Sequence, residues 1–290
     1  MKRCQVLVVG VFTLLASVGG NCSRARVESM NKMNEGVIAA QQKRHVDAVK
    51  LLEQAAVIDP QNDQVFWNMA IVHMEMRKYD RARDDLQKAI AVNPSTAGYH
   101  EKLGTVLMEL HDWQAAKAPL EKAIELEPAL FKAYYKLAQV DEQLDNQQDA
   151  LKHYTQAVEK GPRFLEAYSA LGRLYADLGY LDQSVQVLNE ALKVALKGTE
   201  EEAQVHHLLG TVYQQQKKYD QAVSEFKAAL AVVPGMRDAL FSLGWTYDLQ
   251  GNKEEAKRYL QKFVDGAGAE VPAHYVKAAR DKLSEMAEGF

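Results

Sequence analysis

Apolar positions recur at intervals of three and four from residue 29 to about residue 267. That spacing marks one face of an α-helix, so the segment predicts a run of short amphipathic helices. The helices pair on a fixed frame. Asp59-Pro60, Asn93-Pro94, Glu127-Pro128 and Gly161-Pro162 lie 34 residues apart, and Val233-Pro234 follows 72 residues later, two periods plus four. A period of this length marks stacked helix pairs, each too small to bury its apolar face alone. Seven repeats are read, starting near residues 29, 63, 97, 131, 165, 203 and 237.

Each slot of the frame has a physical reason. Slot eight is always small (Gly36, Ala70, Gly104, Ala138, Gly172, Gly210, Gly244), which lets two helices approach closely. Alanine at slots twenty and twenty-seven, such as Ala222 and Ala229, does the same for the second helix. The proline ends that helix, since it lacks an N–H and pushes its predecessor out of helical conformation. The first repeat is degenerate, with Lys32 and Glu35 where the others are mostly apolar. The fifth has Leu196 in place of proline, and Lys197-Gly198-Thr199-Glu200 supply the four extra residues that lengthen a helix or a loop. Pro119 falls inside a second helix and predicts a kink there.

The repeat closing at Pro234 reads His206-x2-Leu209-Gly210-x2-Tyr213, then Tyr219, Ala222, Phe226, Ala229 and Pro234. The next reads Leu240-x2-Leu243-Gly244-x2-Tyr247, then Ala256, Leu260 and Phe263. This pattern resembles the tetratricopeptide repeat (TPR) family. The resemblance implies an all-α fold, a right-handed α-solenoid of about seven helix-turn-helix units spanning residues 29–267. Residues 268–290 are read as a C-terminal capping helix, with Val276, Ala279, Leu283 and Met286 on one face and Lys277, Arg280, Asp281 and Glu285 on the other.

The N-terminus differs in kind. Lys2 and Arg3 precede an apolar run from Val6 to Val18 and then Gly19-Gly20-Asn21-Cys22, the layout of a secretory signal peptide over residues 1–21. Thirteen apolar-rich residues fall short of the roughly 20 that span a bilayer. Cys22 resembles the lipidated cysteine of bacterial lipoproteins, with residues 22–28 as a short tether and Ser23 favouring the outer membrane. Gly19 and Asn21 depart from the Leu and the Gly or Ala those sites usually carry, so ordinary cleavage near Gly20 is the alternative. Cys4 and Cys22 are the only cysteines, which leaves no disulfide framework or zinc site in the repeats.

Removing residues 1–22 leaves 33 basic against 39 acidic side chains, a net charge of −6. With no basic stripe, that balance argues against a nucleic-acid partner. The eight histidines make no metal set, and no phosphate-binding glycine loop or nucleophile elbow is present. No catalytic constellation, cofactor or small-molecule substrate is predicted. His73 and His206 fill packing slots, and Asp84-Asp85 and Glu200-Glu201-Glu202 are read as solvated faces.

The TPR resemblance implies a concave face lined by slots two, five, nine and twelve of each first helix. The residues it nominates for a partner groove are Met33, Trp67, Ile71, Met74, Met108, Tyr135, Gln139, Arg173, Phe241 and Trp245. Exposed apolar side chains at such slots mark an interaction site, and methionine adapts to varied partners. No repeat carries the Lys and Asn with which some TPR proteins clamp a carboxylate terminus. The resulting expectation is a non-enzymatic scaffold in the bacterial cell envelope, anchored by lipid in the outer membrane and facing the periplasm. Its partners would be proteins of a pilus, secretin or gliding-motility complex. The alternatives are a soluble periplasmic binding module or a regulatory subunit of an envelope enzyme.

Overall fold

The computed structural model of the chain describes residues 19–268 and 271–288. Among them are fifteen helices and no strand. They are α1 (Gly19–Gln41), α2 (His45–Ile58), α3 (Asp63–Glu75), α4 (Tyr79–Val92), α5 (Ala97–Glu109), α6 (Trp113–Leu126), α7 (Phe131–Gln143) and α8 (Gln147–Lys160). There follow α9 (Leu165–Asp177), α10 (Leu181–Val194), α11 (Glu200–Gln215), α12 (Tyr219–Val232), α13 (Arg237–Leu249), α14 (Lys253–Gly266) and α15 (Ala273–Glu288). The described residues form two compact parts, divided between residues 126 and 127. In each, a helix packs on its successor, as the frame requires.

Close approach inside each pair rests on slot eight. A Cβ placed on Gly104 would sit 2.5 Å from Leu120, and one on Gly210 would sit 2.5 Å from the Phe226 ring. Slot twenty is fully buried wherever it is alanine. In repeat five it is Ser184, also fully buried, whose hydroxyl donates to the Gly172 carbonyl at 2.6 Å. The turn inside every pair places its slot-fifteen residue at positive φ. Only Gly179 and Gly251 are glycine there, while Lys43, Arg77, His111, Asp145 and Lys217 adopt the same left-handed backbone.

Slots eleven and twenty-three face each other across each pair. In repeat two they hold His73 and Asp85, joined Nδ1 to Oδ2 at 2.7 Å. In repeat four the partners are exchanged, Asp141 with His153 at 2.7 Å. Repeat seven stacks Tyr247 on Tyr259, with ring centroids 5.8 Å apart. Asp85 is therefore not the solvated carboxylate that its place in an acidic pair predicts. It is 3% exposed and held by His73.

The four extra residues divide between the two options. α11 is three residues longer than α9, and the turn before it gains one, with Gly198 at positive φ and Thr199 capping α11 through Glu202 N–H. α6 runs through Pro119 without a break. At the N-terminus, residues 22–28 are not an extended tether: they form the start of α1, which is continuous from Gly19. No glycine or proline between Asn21 and Gly36 interrupts the helical pattern, which explains the extension. Ile38, on the face of α1 that in later repeats meets the preceding pair, is 52% exposed, whereas its counterparts Val72 and Val106 are 3% and 0%. The predicted signal-peptide core, Val6 to Val18, lies outside the described residues. No described helix is long and apolar enough to cross a membrane. At the other end α15 lays Ala279 and Met286, both buried, with Val276 and Leu283 against the core of repeat seven.

Candidate protein-interaction surface

In the first part the nominated slots are largely filled by the chain itself. Trp67 and Met74 pack on Ala70, Ala82, Leu86 and Val106. The Trp67 ring lies on Tyr99, centroids 5.2 Å apart. Tyr99 is fixed in turn, its hydroxyl donating to Asp63 at 3.0 Å, and burial followed by this bond pushes its phenol well above the usual tyrosine range. Met33 packs on the cluster of Leu52, Val65 and Met69. Ile71 lines a small hollow of about 310 Å3 with Val37, Ala40 and Asn68. Met108 is half-buried on α5.

The second part is more open. Tyr135 stands between Tyr154 and Phe164, with centroids 5.6 and 5.1 Å away, and burial raises its phenol pKa. Gln139 is half-buried on the same helix. Arg173 reaches from repeat five to Glu142 of repeat four at 3.1 Å and to Asp177 at 3.6 Å. Tyr154 donates to the same Glu142 carboxylate. Phe241 meets Trp245, Phe263 and Tyr275 with centroids 5.7, 5.2 and 5.3 Å away. α15 thus covers part of the α13 face, and its Lys282 lies 5.5 Å over the Trp245 ring while pairing with Asp248 at 3.0 Å.

Between α11, α13 and the start of α15 lies a cleft of about 930 Å3, lined by Glu200, His207, Leu208, Met236, Asp238, Phe241 and Tyr275 among others. His207 forms part of its wall, with Nε2 3.1 Å from Ser242 Oγ and its ring 5.5 Å from Phe226. Burial lowers the His207 pKa, and the nearby Asp238 opposes that shift in part. A second hollow of about 360 Å3, lined by Tyr135, Glu166, Ser169, Arg173 and Glu201, shares Gln204 and Leu208 with the cleft. The two therefore form one run along the first helices of the second part. Sequence reasoning found Phe241 and passed over Leu208, Met236 and Tyr275. Met236 lies in a turn and Tyr275 on the terminal helix, neither of which the slot scheme inspects.

Among the described residues no group of three His, Cys, Asp or Glu could hold a metal ion. What the surface offers is apolar hollows with hydrogen-bonding rims, suited to side chains of another polypeptide.

Helix pairs stacked on a 34-residue frame with such faces define an all-α repeat scaffold. Tetratricopeptide repeat models match residues 39–104, then 101–162 and 207–271, and finally 163–235. The chain belongs to the tetratricopeptide repeat family, and its repeats make it a protein–protein interaction scaffold. No curated protein matches it in sequence. Among solved structures it resembles MamA at 23% identity and TM-score 0.54, covering 58% of this chain and 91% of that one. It also resembles YrrB, described as a TPR protein with an unusual peptide-binding site, at 23% identity and TM-score 0.54, over 68% of this chain and 97% of that one. Pseudomonas aeruginosa pilF is similar at 22% identity and TM-score 0.55, covering 70% and 90% respectively. At these identities the likeness shows the fold.

Proposed function

We propose that this chain is a non-enzymatic adaptor of the bacterial cell envelope, holding segments of partner proteins on the first-helix faces of its repeats. The observation that carries this reading is the aromatic cleft beside Phe241, open in a chain of a peptide-binding family. The signal-like order of residues 1–22 favours a partner in pilus or related envelope assembly, and the peptide-binding site named for YrrB favours a short segment as ligand.

Anchoring through Cys22 at the outer membrane, facing the periplasm, completes the reading. It rests on the basic, apolar and small-residue order of residues 1–22. Because α1 begins at Gly19, the six steps from Cys22 to Glu28 rise only about 9 Å as helix, so the repeats would stand close to the lipid surface. Gly19 and Asn21 favour the second reading, a soluble periplasmic module cleaved near Gly20.

Two measurements separate these. Labelled fatty acid should enter the wild type and not Cys22→Ser; a wild type that stays unlabelled and soluble removes the anchor. Capture from envelope extract should return a defined partner with wild type and lose it with Phe241→Ala. Capture that persists in this variant would place the interaction elsewhere on the scaffold.

A further inference from the structure

The joined clefts of the second part have a charge as well as a shape. Their rim carries four exposed carboxylates, Glu166, Glu200, Glu201 and Asp238, and none of these is in an ion pair among the described residues. The two cations on the same rim are already engaged. Arg173 is held by Glu142 and Asp177, and Arg237 Nε donates to the Gly266 carbonyl at 3.2 Å. His207 adds no charge at neutral pH, because burial holds its imidazole below the ordinary histidine range. Beneath this rim the floor is apolar, with Leu208 common to both hollows, Met236 and Phe241 beyond it, and the exposed Tyr275 ring at its far edge.

We propose that these joined clefts bind an extended peptide segment in which Lys or Arg alternates with large apolar side chains. This rests on the reading of the first-helix face as the partner surface and adds the chemistry of the partner. Successive side chains of an extended segment point to opposite sides. A segment lying along the run therefore sends apolar residues to Leu208 and Phe241 and turns cations toward the carboxylates. An acidic rim disfavours a segment bearing carboxylates, since like charges juxtaposed in a cleft lower affinity. The attraction is between solvent-exposed groups, so it weakens as salt shortens the Debye length.

The test uses the purified full chain and dye-labelled nine-residue peptides of alternating Lys-Phe-Lys-Leu, Ser-Phe-Ser-Leu or Glu-Phe-Glu-Leu pattern, read by fluorescence anisotropy. The basic peptide should bind at least ten-fold tighter than the serine peptide at low salt, and the acidic peptide more weakly than either. The rim variant E166Q/E200Q/E201Q/D238N should lose that ten-fold advantage with an unchanged thermal melt. A charge-matched control on other surfaces, E28Q/E53Q/E121Q/E127Q, should keep it. If rim and control variants lower the advantage equally, net charge alone draws the peptide and the proposal falls. It also falls if the serine peptide matches the basic one. Loss of serine-peptide binding in Phe241→Ala would then leave the interaction face standing without its charge preference.

Discussion

Trp67 and Phe241 occupy slot five of repeats two and seven, yet the chain treats them differently. Above Trp67 the space between α3 and α5 is filled by Tyr99, whose ring lies 5.2 Å away and whose hydroxyl is tied to Asp63. The residue at the same slot in repeat seven is Ala239, fully buried, and the region between α11 and α13 stays open as a cleft of about 930 Å3. Trp67 is met by slot three of the following repeat, whereas the element following Phe241 is the terminal helix, whose Tyr275 stands 5.3 Å away at the margin of the cleft. The same frame makes a sealed face in one place and a receptive one in the other.

The largest effect should come from unsealing the first face. Tyr99→Ala removes a 3%-exposed ring and its bond to Asp63, and should cost about 3–5 kcal/mol of stability in chemical denaturation. A cost under about 1 kcal/mol would mean that Tyr99 does not seal the face. Next in size, Trp67→Ala should cost about 2–3 kcal/mol, since its half-buried ring packs on Tyr99 and Leu86, while leaving peptide affinity in the second part unchanged. Phe241→Ala should weaken both stability and peptide binding. Equal behaviour of the two variants in the binding assay would erase the contrast.

Much of the frame was legible because it rests on contacts repeated every 34 residues. First helices begin at five of the seven starts read from the small residues at slot eight and the prolines at the ends of second helices. α1 is already helical from Gly19, ten residues before the start read for repeat one, and α11 begins three residues early because the insertion adds its first turn. The left-handed turns were not legible, since five of the seven carry no glycine and the conformation is held by turn N–H groups bonding back to the first helix, as Lys78 N–H does to the His73 carbonyl at 2.8 Å. Nor were the His73–Asp85 and Asp141–His153 pairs, although both span twelve residues. His73 reads as a packing residue and Asp85 as a solvated one, and nothing in the sequence joins them until the two helices are packed face to face. The candidate surface was half legible. Slot five named Trp67 and Phe241 alike, but Trp67 is met by Tyr99 of the following repeat and Phe241 by Tyr275 of the terminal helix, positions that a search for exposed slots skips.

A smaller change sharpens the comparison at Tyr99. Tyr99→Phe keeps the ring over Trp67 and removes only the hydroxyl, which donates to Asp63 and accepts from the Gln64 amide at 2.5 Å. Asp63 is left with the Asn93 amide at 2.8 Å. The cost should be about 1.5–2 kcal/mol, the low end for a hydrogen bond to a charged group because Gln64 is left near the surface, and the face should stay sealed. A loss as large as that of Tyr99→Ala would assign the sealing to the hydroxyl and not to the ring.

The smallest effect is the response to pH, and it should have opposite signs around His207 and around Tyr99. The alkaline loss is shared by the Tyr135 and Tyr154 phenols of the second part, whose pKa values burial also raises. Burial lowers the His207 pKa in the folded chain. As pH falls through about 6.5 the unfolded chain takes up a proton that folded His207 refuses, so its contribution to stability is present above that pH and lost below it. Tyr99 behaves in reverse. Its phenol pKa is raised by burial and the Asp63 bond, so above about pH 10 the unfolded chain ionises first and stability falls as pH rises. Hydrogen exchange read by mass spectrometry can follow both regions in one sample. Between pH 7.5 and 5.5, after correction for intrinsic exchange, α11 and α13 should lose protection while α3 and α5 hold theirs; above about pH 10 the order should invert. His207→Gln should flatten the acid limb in α11 and α13 alone. An acid limb unchanged by this substitution would mean that other groups set the pH response of the open face. The difference between the two faces would then be one of shape only.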